Sequence, residues 1–116
     1  MKNVTVVDTT SKYIVKSTGI GSETDQKMIE TDDGFGAEKL EGGDTDSKVS
    51  LIECYHLIEG TGTLTISAGD ETLPLDGKGK YGLRPGQLKF GNDKEFNLTT
   101  DSNVTSYLLV TEFRRN

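Results

Sequence analysis

Cys54 and His56 stand two residues apart in an apolar run, the spacing at which a β-strand presents both side chains on one face. A thiolate beside an imidazole is the core of a cysteine nucleophile, and sulfur with nitrogen makes a soft metal-ligand pair. The chain completes neither chemistry. A zinc site takes three or four converging ligands, whereas the sequence holds one cysteine and one histidine. A Cys–His–Asn or Ser–His–Asp arrangement would have only His56 to draw on. Packing is the reading the spacing favours, with a buried thiol and a partly buried imidazole. No catalytic residue, metal or cofactor is expected.

Other patterns fail on context. Gly77-Lys78-Gly79-Lys80-Tyr81-Gly82 matches the dinucleotide fingerprint letter for letter. That motif works by placing pyrophosphate on the free amides of a helix N-terminus, and here Leu83-Arg84-Pro85-Gly86 turns again instead. A strand-joining loop is expected. Asp44-Thr45-Asp46 and Asp32-Asp33 offer oxygen ligands for Ca²⁺, but the bidentate Glu of an EF-hand loop is missing, so a solvated acidic loop is expected. Paired carboxylates can be picked at will from 19 acids and carry no information. Three glycosylation-like triplets begin at Asn3, Asn97 and Asn103; with 15 threonines in the chain, composition alone produces them.

The elements that would carry these residues are short strands. Apolar alternations recur about every ten residues, separated by Gly, Asp and Asn. Val4–Val7 is followed by Tyr13–Lys16, which ends at the turn signal Gly19-Ile20-Gly21, and then by the weak run Lys27–Glu30. The strongest run is Val49–Ile58, with Val49, Leu51, Tyr55 and Leu57 on one face and Ile52, Cys54, His56 and Ile58 on the other. Apolar residues on both faces predict a central strand covered on both sides. Strands are also predicted at 61–67, 72–75, 87–90, 96–99 and 104–113, with a turn at Gly91-Asn92-Asp93. Pro74, lacking an amide donor, marks its strand as an edge or bulge. The expected fold is a single all-β domain: an antiparallel β-sandwich or jelly roll with an extended N-terminal arm or hairpin (1–31), an acidic Gly-rich loop (32–47) and a β core (48–116).

Composition agrees. A chain of 116 residues has room for one domain, and its 14 glycines and 15 threonines favour turns and strands over helices. A net charge of −6 argues against nucleic acid and anionic membrane as partners. No stretch approaches the length of a membrane span, and Met1-Lys2-Asn3-Val4 opens no signal peptide. With a single cysteine there is no intrachain disulfide, which fits a soluble protein made in a reducing cytosol.

The order of the pieces carries a resemblance. An opening strand leads to Tyr13-Ile14-Val15-Lys16-Ser17-Thr18-Gly19-Ile20-Gly21, followed much later by Leu51-Ile52-Glu53-Cys54-Tyr55 and Gly62-Thr63-Leu64-Thr65-Ile66. The Gly-rich Leu75–Leu83, Gly86-Gln87-Leu88-Lys89-Phe90 and the closing Ser106–Arg115 complete the series. It resembles small virion structural proteins of tailed bacteriophages. The resemblance implies a binding protein without turnover, located in the virion after synthesis in the host cytoplasm. Its partners would be the phage major capsid protein and further copies of itself, as a homo-oligomeric capsid decoration or cement protein. A tail, baseplate or fibre-associated module, with carbohydrate as a conceivable ligand, is the alternative. A cupin-type enzyme is disfavoured, because its metal site takes two or three histidines. From the net charge, docking to a like-charged shell is expected to respond little to salt.

Overall fold

Ten strands in two antiparallel sheets enclose the core, as a computed structural model of the chain shows for residues 1–8, 12–29, 49–82, 90–93 and 95–115. They are β1 (Lys2–Asp8), β2 (Lys12–Ile20), β3 (Gln26–Lys27), β4 (Val49–Gly60), β5 (Leu64–Ala68), β6 (Glu71–Leu75), β7 (Lys78–Gly82), β8 (Phe90–Asp93), β9 (Asn97–Thr100) and β10 (Val104–Arg115). The larger sheet runs β1-β2-β10-β4-β7, with β8 also paired to β4. The smaller runs β3-β9-β5-β6. The expected all-β sandwich is therefore the architecture observed.

Each sheet buries one face against the other. Val15, Leu51, Leu109 and Phe113 of the larger sheet and Leu64, Ile66 and Leu98 of the smaller are fully enclosed. Phe96, between β8 and β9, anchors the layer: its ring lies 4.8 Å from that of Phe113 and 6.1 Å, edge on, from that of Phe90. Offset and edge-on contacts of this kind add to the area burial of aromatic rings. The strand β5 shows the period-two rule in its simplest form, with Leu64, Ile66 and Ala68 buried and Thr65 and Ser67 partly exposed. Pro74 lies on β6, at the edge of the smaller sheet, where a missing amide breaks no ladder.

The longest strand departs from the expectation. Leu51 pairs with Phe113 and Glu53 with Glu112, so Ile52 is an extra residue with no partner of its own in β10. This β-bulge reverses the parity of β4. Val49 and Leu51 face the core before it, and Cys54 and Ile58 after it, while Tyr55 and Leu57 turn outward. The strand is central, as expected, but its outer face is not covered: Tyr55 is 49% and Leu57 41% exposed. Gly82 accommodates the bulge. It sits opposite Glu53 at φ +101°, and a Cβ there would collide with the Ile52 carbonyl.

Glycine punctuation misled at two further places. The stretch Lys78–Gly82 is strand β7 and not a loop, pairing with β4 from Leu57 to Glu53. Gly91-Asn92-Asp93 is part of β8 rather than a turn. At the N-terminus β1 pairs with β2 along its length, and β2, which continues through Gly19-Ile20 before the chain turns, also pairs with β10, so these two strands belong to the larger sheet rather than to an extended arm. The acidic stretch 32–47 and the positions 83–89 lie outside the described residues.

One carboxylate organises the turn at the far end. Asp101 accepts the Thr63 amide at 3.0 Å through Oδ2 and the Asn103 amide at 2.9 Å through Oδ1, and its carbonyl accepts from Ser22 and Val104. These amides, Thr63 first, hold its carboxyl below the usual 3.8. Its contribution to stability is therefore present above that value and lost as pH falls through the lower folded one. Asp101→Asn is expected to lower Tm at neutral pH, with the gap to wild type closing toward pH 2 in a melting series. Gly82→Ala is expected to destabilise by on the order of 1–3 kcal/mol in urea titration, through φ strain and the blocked bulge.

Candidate functional site

Parity and register lay out the outer face of the larger sheet row by row. Across β2, β10, β4 and β7, one row reads Lys16, Val110, Tyr55, Lys80 and the next reads Thr18, Leu108, Leu57, Lys78. On β1, Val4 continues the first row and Lys2 the second. The two central strands thus hold a block of Tyr55, Leu57, Leu108 and Val110, bracketed by lysines on both sides. Val4 and Ile20, 47% and 71% exposed, extend the apolar surface toward β1.

The row above the block is acidic. Glu53 and Glu112 stand directly opposite each other, a like-charge pairing that would repel if left alone. Each is matched by a cation of its own sheet: Lys80 reaches Glu53 at 3.2 Å, and Arg114 reaches Glu112 at 2.6 Å. Lys80 also lies over the Tyr55 ring, 5.0 Å from its centroid. Its ammonium is held above its usual range, first by Glu53 and then by Tyr55. With Ile14, Val110 and Tyr55, the two glutamates line a shallow groove of about 140 Å³. Among the described residues the face carries six cations (Lys2, Lys12, Lys16, Lys78, Lys80 and Arg114) and three carboxylates (Glu53, Glu59 and Glu112). Its local sign is opposite to that of the whole chain.

Cys54 and His56 do lie on one strand, two residues apart, but each is bound to something else. The Cys54 thiol is fully buried and lies 3.5 Å from the Thr111 hydroxyl. Burial pushes it up to about 11, so at neutral pH it is a thiol and a poor nucleophile. His56 directs Nδ1 to the Gly77 carbonyl at 3.1 Å, which makes Nδ1 the protonated nitrogen and draws the β7 turn onto β4. Among the described residues, no three His, Cys, Asp or Glu side chains converge as a metal site would require. The tyrosines divide by role. Tyr13 and Tyr107 are buried, Tyr107 donating its hydroxyl to Glu23, while Tyr55 is the one that faces solvent.

No protein family model matches the chain, and neither curated proteins nor solved structures give a match.

Sequence reasoning put Tyr55 and Leu57 on one face but assigned that face to a core. The signal that identifies it as exposed is the run Glu53-x-Tyr55-x-Leu57-x-Glu59, whose acidic ends share the parity of its apolar centre. Ile14 with Lys16, and Val110 with Glu112, repeat the signal on β2 and β10.

The Cys54 environment makes a direct prediction. Moving the thiol from its ordinary 9.0 to about 11 lowers the thiolate fraction about 100-fold at neutral pH, and burial adds to this. Iodoacetamide should therefore alkylate the native protein at least about 100-fold more slowly than the urea-unfolded chain. Because the folded value is the higher one, this thiol favours the folded state fully below pH 9, and that contribution fades as pH rises toward 11.

Proposed function

We propose that this protein is a non-enzymatic virion structural protein, a decoration or cement protein that binds and stabilises the head of a tailed bacteriophage. The observation that carries the reading is the outer face of the larger sheet. Exposed large apolar side chains gathered on one sheet face, here Val4, Ile20, Tyr55 and Leu57, are the usual mark of a protein contact surface. The order of strands and glycines described above adds the phage resemblance. A small β domain with no disulfide among its needs can fold in the cytosol and then add in many copies to a preformed shell.

The stabilisation would be thermodynamic. A ligand that binds the assembled shell and not the disrupted one stabilises by mass action, and on the order of hundreds of copies multiply the effect. The test uses capsids of the encoding phage stripped of the protein. Labelled protein should co-sediment with them saturably and raise their resistance to heat. Quantitative mass spectrometry of purified virions should count on the order of hundreds of copies if the protein covers the shell, each adding its own mass-action contribution. A handful of copies, or no saturable binding, would remove this reading and support a tail or baseplate component.

A further inference from the structure

The exposed face carries more than its apolarity, because its charges are arranged. Tyr55, Leu57, Leu108 and Val110 form the centre, and lysines stand in register on either side: Lys16 on β2 and Lys78 and Lys80 on β7. Three strand spacings, roughly 14 Å, separate Lys16 on one side from Lys78 and Lys80 on the other, with Lys80 also paired to Glu53. Along the strands the centre is closed differently, by Glu53 and Glu112 above and Glu59 below. The face is therefore basic across the strands and acidic along them, in a chain whose net charge is −6.

We infer that this face docks an acidic protein surface, one whose apolar residues are flanked by carboxylates about 14 Å apart and which crosses the strands of β10 and β4. Apolar side chains of the partner cover the Tyr55–Leu57–Leu108–Val110 block, where desolvation supplies most of the affinity. Its carboxylates meet Lys16 on one side and Lys78 and Lys80 on the other, which set orientation and association rate. A partner with basic flanks is repelled by the same lysines. A nucleic acid backbone lacks the apolar complement and would meet Glu53, Glu112 and Glu59 along the strands. The inference rests on the decoration reading for the shell as the natural source of such a surface, and it specifies that the contacted patch of the shell is acidic. It also changes the expected salt response. A basic-flanked face on an acidic patch is weakened by salt, whereas the net charge alone predicts little response.

Two experiments separate this inference from the reading it deepens. In the first, isotope-labelled protein is titrated with the capped peptide Asp-Glu-Leu-Val-Leu-Glu-Asp and with its counterpart in which lysine replaces every acid. The acidic peptide should shift the resonances of Tyr55, Leu57, Leu108 and Val110, and should bind about tenfold more weakly in 0.5 M than in 0.05 M salt. Lys16→Glu and Lys78→Glu, both at exposed positions that leave the core untouched, should each weaken it, while Lys27→Glu on the smaller sheet should not. Equal or stronger binding of the lysine peptide, binding of a single-stranded oligonucleotide at this face, or shifts confined to another face would overturn the inference. So would self-association of the protein that Lys16→Glu or Lys78→Glu abolishes, which would make a second copy the occupant.

The second experiment repeats the capsid co-sedimentation with the same variants. Loss of binding in Lys16→Glu and Lys78→Glu, and weakening by salt, are expected. Wild-type binding that neither variant nor salt alters would overturn the inference and leave the decoration reading intact. Peptide recognition at this face without any capsid binding would do the reverse.

Discussion

An extra residue in a strand is a small defect with a long reach, because side chains alternate faces with period two and one insertion inverts every position beyond it. Ile52 is that residue in β4. Before it, Val49 and Leu51 enter the core; beyond it, Cys54 and Ile58 do, and Tyr55 and Leu57 are turned to solvent. The neighbouring strand is fitted to the defect, since Gly82 takes a left-handed φ of +101° and leaves the space that the Ile52 carbonyl needs. The register of β7, the position of Lys80 over Tyr55 and the composition of the outer face all follow from this bulge.

The bulge also explains what could and could not be read from the residues. Where a strand keeps its parity, alternation is enough: Leu64–Ala68 is buried at every second residue, and Pro74 falls on an edge as its missing amide requires. The 104–113 run takes the central place that its apolar character demands, between β2 and β4. In 49–58, both parities carry apolar residues because the inward set changes midway, and that pattern is indistinguishable from a strand covered on both sides. The same cause hid the exposed face, since Tyr55 and Leu57 have the residue types of a core. Glycine was misleading for another reason. Gly82 in β7 and Gly91 in β8 sit at positive φ where the Ile52 carbonyl and the Ala68 side chain leave no room for a Cβ, while Gly79 lies close against the His56 ring.

Net charge is a poor guide to a surface this unevenly charged. The chain is acidic, yet the outer face of its larger sheet holds twice as many cations as carboxylates among the described residues. Acids such as Asp70, Asp76, Asp93 and Asp101 lie in turns or near strand ends, whereas the lysines alternate along β2 and β7. Segregation of this kind gives one face a partner preference that the net charge of the chain does not predict. In the two ion pairs on that face the cations, Lys80 and Arg114, are exposed while Glu53 and Glu112 are mostly covered, so water screens each pair from one side and its value lies in specificity more than in stability.

The central claim is that the parity of β4 inverts at Ile52 and leaves an apolar face open to water. Paramagnetic relaxation by a soluble, uncharged gadolinium chelate measures this directly, residue by residue, in the free protein. The side-chain signals of Tyr55, Leu57, Leu108 and Val110 should broaden, while those of Leu51, Cys54, Ile58 and Leu109 should remain sharp. Protection of Tyr55 and Leu57 to the same degree as Cys54 would contradict the account.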